Sequence, residues 1–133
     1  MRTVFLDTVG LIALWNLSDQ WHAAAAAAPQ PLDPNATRLV ATTYILLECG
    51  NEAARRPYRD KVIALRDALR LAGDLYEPTP HEVDQAWGDY ARGLAGGAGI
   101  VDHVSFAVMR RLGLTEAFTN DRHFAAAGFT PLF

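Results

Sequence analysis

The 133-residue chain carries one cysteine, Cys49, and one lysine, Lys61. A lone cysteine excludes an intrachain disulfide framework and a thiolate-built metal cage, and its place beside Ile45, Leu46 and Leu47 is that of a core thiol in a reducing cytoplasm. Long apolar runs are also missing. The opening MRTVFLDTVGLIALWNL is broken early by Asp7 and shows no small-residue cleavage site, so it reads as a strand entering a helix, not as a signal peptide or membrane span. The four histidines, His22, His81, His103 and His123, show no metal-ligand spacing. Bulk positive charge is absent too. A net charge of -3 argues against coating nucleic acid non-specifically and leaves room for a local basic groove. The glycine cluster Gly96-Gly97-Ala98-Gly99 is followed by no Lys-Ser/Thr and is no phosphate-binding P-loop.

What is present suits one folded domain over residues 1–133, because half of the residues are hydrophobic and a fifth charged. Eleven of the twelve basic residues are arginine, and Ala23 to Ala28 form an unbroken alanine run that favours helix.

Strand and helix signals alternate from end to end. Thr3–Leu6 is a β-prone run stopping at Asp7-Thr8, and a helix follows through Leu14. Ser18-Asp19 reads as the cap of a second helix reaching Ala28, and the proline-rich Pro29–Asn35 as a loop. Arg38–Thr42 is a second strand, after which Thr43 can cap a helix carrying Glu48 and ending near Arg55. Pro57 fits the first turn of a further helix that Gly73 stops, and Leu75–Glu77 is a short third strand. Thr79-Pro80-His81-Glu82 is a capping-box helix start, and that helix is expected to reach about Leu94. Gly93–Gly99, with four glycines, is a flexible or tightly turned loop. The next helix has a buried stripe of Ile100, Val104, Val108 and Leu112. Ala117–Thr119 is a fourth strand, followed by a helical turn and a last strand over Thr130–Leu132. Repeated β-then-α units predict a mostly parallel sheet of four to five strands with helices on both faces, a three-layer α/β/α fold.

In such folds, sites form beyond the carboxyl ends of the strands. Asp7 ends the first strand, and Asp121 lies just beyond the fourth. Glu48 follows the second strand, and Asp102 opens the helix after the glycine loop. All four have a route to one edge. Carboxylates without thiols or paired imidazoles form an oxygen-ligand set suited to Mg²⁺ or Mn²⁺. Each acid also has a plainer reading. Asp7 and Asp121 are good helix caps, Asp102 is a dipole-favoured acid in a first turn, and Glu48 can lie on the wet face of its helix. Residue by residue, capping is the more common role.

The strings FLDTVGLIAL, TTYILLE, IVDHVSFAVMRRLGL and EAFTNDRHFAAAGF run in order along nearly the whole chain. Together they resemble the PIN-domain family, and within it the VapC-type toxins of toxin–antitoxin pairs. The most specific part is Asp102 with Ser105-Phe106, followed by Thr119-x-Asp121-x-x-Phe124. The resemblance implies Mg²⁺- or Mn²⁺-dependent ribonuclease activity with Asp7, Glu48, Asp102 and Asp121 as catalytic and metal-holding acids. It implies supporting roles for Thr8 and Thr119, a cognate antitoxin and a homodimer. Trp15 and Trp21, ordinary core or helix-packing residues on their own, would then line a groove for an antitoxin helix. One departure stands out. Relatives usually have a Trp-Ser-Leu-like run before the third acid, where this chain has Ala98-Gly99-Ile100. The loop is therefore expected to be looser, at a capping cost of a few tenths of a kcal/mol.

Arg92, Arg110, Arg111, Arg122 and His123 lie nearest the acids in sequence and can grip RNA phosphates. Arg92 and Arg122 are the better candidates, because Arg110 and Arg111 fall on the solvated face of their helix and His123 reads as a surface or capping residue. Other classes fit less well. A non-catalytic PIN-like module binding RNA or protein is the main alternative, motivated by the changed glycine loop. The FLDT start is similar to haloacid-dehalogenase phosphatases, but Val9 occupies the place of their second aspartate. No lysine follows the late strand, as a receiver domain would require.

Overall fold

The computed structural model describes residues 2–28 and 32–133. Five parallel strands, β1 (Arg2–Leu6), β2 (Thr37–Thr42), β3 (Leu75–Tyr76), β4 (Glu116–Phe118) and β5 (Thr130–Pro131), form one sheet in the order β3-β2-β1-β4-β5. The chain starts in the middle, builds outward through β2 to β3, then returns to the other side of β1 for β4 and β5. Right-handed crossovers consequently put the helices before β3 on one face and those after it on the other. The first group comprises α1 (Thr8–Trp15), α2 (His22–Ala26), α3 (Thr43–Ala53) and α4 (Arg59–Ala72). The second comprises α5 (Pro80–Ala91), the single turn α6 (Leu94–Gly97), α7 (Ile100–Leu112) and α8 (Arg122–Ala126). Contacts follow this division: α1 packs on α2 and α3, whereas α5 packs on α7 and α6 on α8. The expected three-layer α/β/α architecture is what the chain adopts.

The core sits on both faces of the inner strands. Val4, Phe5, Leu6, Val40, Ala41, Ala117 and Phe118 are buried in the sheet, with Ile45, Phe106, Met109 and Phe124 against them. Phe106 meets Phe124 edge-on at 4.9 Å, which locks α7 to α8. The close approach of α1 to β4 depends on Gly10. A Cβ there would lie 2.0 Å from the Phe118 carbonyl oxygen, so no larger residue fits.

Several element limits differ from the sequence expectation, each for a local reason. α2 begins at His22 and ends at Ala26, because Asp19 accepts the Trp21 N–H at 2.8 Å and forms a turn of its own before the helix. Thr42, not Thr43, caps α3 by accepting the Ile45 N–H at 3.2 Å; the Thr43 hydroxyl donates instead to Glu77 at 2.7 Å. α3 ends at Ala53, and Pro57 precedes α4 instead of entering its first turn. α5 has the expected capping box but stops at Ala91, where the glycine turn takes over. β4 ends at Phe118, since Thr119 turns away from the ladder. β5 is Thr130–Pro131. In α7, Val104 and Val108 are buried as expected, but so are His103, Ser105, Phe106 and Met109; Ile100 and Leu112 are only half-buried. Part of the Pro29–Asn35 loop lies outside the described residues.

Candidate active site

The strand order reverses at β1. β2 lies on one side and β4 on the other, so the crevice between β1 and β4 is the topological switch point where parallel α/β folds place their sites. Asp7 is the residue immediately after β1, and Thr119 and Asp121 come directly after β4. The Thr119 hydroxyl, fully buried, donates to Asp7 Oδ2 at 2.8 Å and accepts the Asp121 backbone N–H at 3.0 Å. One side chain thus joins the two strand ends.

Asp7 and Asp121 do cap helices. Asp7 Oδ2 accepts the Val9 N–H at 3.3 Å at the start of α1, and Asp121 Oδ1 accepts the His123 N–H at 2.9 Å at the start of α8. Capping and site membership are therefore compatible, since each cap bond uses one carboxylate oxygen. Glu48, on the second turn of α3, is half-buried and held by the Thr8 hydroxyl, which donates to Oε1 at 2.7 Å. Asp102 stands in the first turn of α7.

Electrostatics show that the four acids share one neighbourhood. Asp7 is 2% exposed, and burial pushes its carboxyl up from 3.8 to about 7. The negative charges of Asp102, Asp121 and Glu48 push the same way, against the Thr119 hydrogen bond. Asp102 is also raised to about 7, by burial first and then by Asp121 and Glu48, while His123 opposes the shift. Among the described residues none of the four carries a salt bridge. Cys49 lies in the same region; burial, followed by the charges of Asp7 and Glu48, pushes its thiol up to about 12, so it stays protonated. The donor set consequently consists of oxygen, with four carboxylates that carry no salt bridge among the described residues, which suits a hard divalent ion in its chemistry. The acids converge without closing on one another: among the described residues no three carboxylate, imidazole or thiol groups are gathered tightly enough to enclose an ion.

The glycine turn before Asp102 is tight. Gly93, Ala95, Gly96 and Gly97 all have positive φ, and Ala98 is 2% exposed. His123 Nδ1 donates to the Ala95 carbonyl at 3.0 Å, pinning the turn to α8. That tie restrains the turn from outside, although Gly99 caps α7 with no side-chain bond. His123 accordingly does more than cap its own helix.

The basic residues divide. Arg111 is not simply solvated: it pairs with the buried Glu82 at 2.8 Å and lies over Tyr76. Arg110 is exposed but lies over the Phe129 ring and donates to the Ala127 carbonyl. Arg92 pairs with Asp89 at 2.7 Å, and Arg122 is exposed beside Asp121. Trp15 packs by Tyr58 and borders a cleft of about 390 Å³ with Leu17, Pro57 and Lys61, whereas Trp21 is outside that lining. Sequence reasoning missed two supporting residues. Gly10 has a visible signal, a glycine inside an apolar helix, whereas the pin from His123 has none.

A parallel α/β domain with an all-carboxylate centre at its switch point is the PIN-type arrangement. No protein-family model matches the chain. The curated relatives it matches are the 23S rRNA-specific endonuclease VapC20 from two strains of Mycobacterium tuberculosis, each 31% identical over 131 residues and 95% of both chains. The solved structure of M. tuberculosis VapC20, described as a sarcin–ricin loop cleaving toxin, superposes with a TM-score of 0.76 at 30% identity over 95% of each chain. The chain belongs to the VapC family of PIN-domain toxins.

Proposed function

We propose that this chain is a Mg²⁺- or Mn²⁺-dependent endoribonuclease hydrolysing RNA phosphodiester bonds, the toxin of a VapBC-type pair. The observation that carries this reading is Asp7: a fully buried carboxylate at the switch point, surrounded by three further acids and no cation. A divalent ion relieves that repulsion, and Asp7, Glu48, Asp102 and Asp121 are the residues that would hold it. When bound, such an ion lowers the pKa of a water and offsets charge on the phosphodiester. Thr119 orients Asp7 relative to Asp121, and Thr8 fixes Glu48, so the acids meet the substrate in set directions. Arg122 and Arg92, the latter by leaving Asp89, would take phosphates of the RNA.

The named relative acts on 23S rRNA, which makes ribosomal RNA the first substrate to test. We assign an antitoxin to the Trp15–Tyr58 cleft and a homodimer to the chain, whose exposed Leu47, Trp87 and Tyr90 supply apolar surface. The cytoplasm is the proposed setting; among the described residues no helix is long and apolar enough to cross a membrane.

The test is incubation of purified protein with total cellular RNA, with Mn²⁺ or with chelator, followed by mapping of the new ends. Discrete metal-dependent cuts, absent in Asp7→Asn, are expected. RNA binding without cleavage under every metal condition would instead favour the non-catalytic module.

A further inference from the structure

A second concave feature lies between α5 and α7, the helix whose first turn carries Asp102. It is a cleft of about 340 Å³ lined by Gln85, Gly88, Asp89, Arg92, Ala107 and Arg110. Each wall is one helix stripe: 85, 88 and 89 on α5 with Arg92 at its C-cap, and 107 and 110 on α7. The floor is small because Gly88 has no side chain, and a Cβ built there meets nothing within 4 Å. The rim has two guanidinium groups and one carboxylate. Asp89 pairs with Arg92, whereas Arg110 has no carboxylate partner among the described residues, which leaves the cleft one positive charge in excess.

The α7 stripe continues toward the acids. His103 precedes Ala107 by four residues and Arg110 by seven, so it lies on the same face, next to Asp102 in sequence. It is 2% exposed, and its Nε2 is buried without a hydrogen-bond partner. The charges of both Asp89 and Arg110 act on its ring from the cleft's rim, while His103 itself lies beneath the lining. The charge of His123 acts on both Asp102 and His103. From Asp102 to Arg110 is roughly 12 Å along the helix axis, about three nucleotides of stacked strand.

We propose that the α5–α7 cleft is a substrate subsite that holds a phosphate and the adjoining ribose or base of a nucleotide a few positions from the scissile bond. This inference rests on the ribonuclease reading above. An RNA strand crossing four carboxylates meets repulsion, and a cationic cleft on the helix that carries Asp102 offsets it. The Arg110 guanidinium takes the phosphate. Gln85 and Asp89 offer an amide and a carboxylate to ribose or base edges, the groups that distinguish a nucleotide from a bare anion.

Two variants test it. Gly88→Leu fills the cleft with a side chain that meets no neighbour at its Cβ and improves helix propensity. Arg110→Gln removes the charge. On an RNA extending several nucleotides to both sides of the cut, each variant is expected to raise KM about tenfold with kcat unchanged, and Arg110→Gln to lower the salt slope of binding by about one. On an RNA truncated to the residues flanking the cut, the variants and the wild type are expected to behave alike. Unchanged KM on the long RNA, or an equal loss on the truncated one, overturns the subsite. If wild-type protein cleaves no RNA, the ribonuclease reading fails, and anisotropy of a labelled RNA in chelator still tests the cleft. Equal affinity of all three proteins then overturns it.

Discussion

Replacing Asp7 with asparagine is expected to remove activity and, in metal-free protein, to make the fold more stable. An acid whose folded pKa is raised binds its proton more tightly in the native state. Its contribution to stability is intact below the unfolded value and is lost as pH rises through the folded one. For Asp7 the window runs from 3.8 to about 7. At about 1.4 kcal/mol for each pH unit, ionising this buried carboxyl costs the native state on the order of 4 kcal/mol by about pH 8. Asparagine does not titrate and fits the same place: the Thr119 hydroxyl and the Val9 N–H both meet Oδ2, so one amide oxygen accepts both. The variant should therefore match wild type at about pH 4 and exceed it by up to about 4 kcal/mol at about pH 8, a rise of up to roughly 14 °C in melting temperature. Thermal melts in chelator, at matched ionic strength across that range, read the effect directly. A variant less stable than wild type at the alkaline end would refute the claim that Asp7 is an uncompensated buried charge, and with it the electrostatic basis of the site.

The same reasoning predicts that millimolar Mn²⁺ or Mg²⁺ raises the wild-type melting temperature more at about pH 8 than at about pH 5, where protons already neutralise Asp7 and Asp102; equal shifts at both would place the ion elsewhere. Thr119→Val should destabilise the fold by about 1–3 kcal/mol and lower kcat more than it raises KM, as steady-state cleavage and urea melts would report, because both strand-end contacts go together. Thr119→Ser should retain most of both. Gly10→Ala puts a methyl group on the Phe118 carbonyl and should cost about 3 kcal/mol or more, seen as a lower urea midpoint, with loss of cleavage because Thr119 and Asp121 follow the end of β4.

The strand and helix pattern was legible wherever local chemistry decided it. Thr79, Pro80 and Glu82 specify a helix start by themselves, and Gly73 ends α4 in the left-handed conformation that glycine permits. Local signals failed where two neighbours competed. Thr42 and Thr43 are equally good caps in sequence, and only the backbone turn out of β2 chooses between them. Alanine propensity did not carry α2 to Ala28, because propensity is a weak term without an apolar face to bury. The candidate site was less legible. Its four acids are spread over 115 residues, and what joins them is that β1 lies between β2 and β4, which no local pattern states. Only the ordered family strings conveyed that arrangement. Thr8 and Thr119 entered through the same resemblance, and their hydrogen bonds to Glu48 and Asp7 now give a physical reason for both.

The turn before Asp102 shows how a lost cap can be replaced from outside its helix. Gly99 offers α7 no side-chain oxygen, so the first-turn N–H groups lack the usual restraint and α7 itself does not fix the turn. Restraint comes instead from α8: His123 donates to the Ala95 carbonyl, and a Cβ at Gly96 would already be in contact with the same ring at 3.4 Å. Because Asp121 caps α8 and accepts the His123 N–H, the third and fourth acids are coupled through one short helix. His123→Ala should then loosen the turn that carries Asp102 while leaving Asp7 and Glu48 in place. Its expected signature is a lower kcat with hydrogen exchange quickened over residues 93–102 and unchanged over α1; uniform exchange across both would mean that the pin from α8 does not hold the turn.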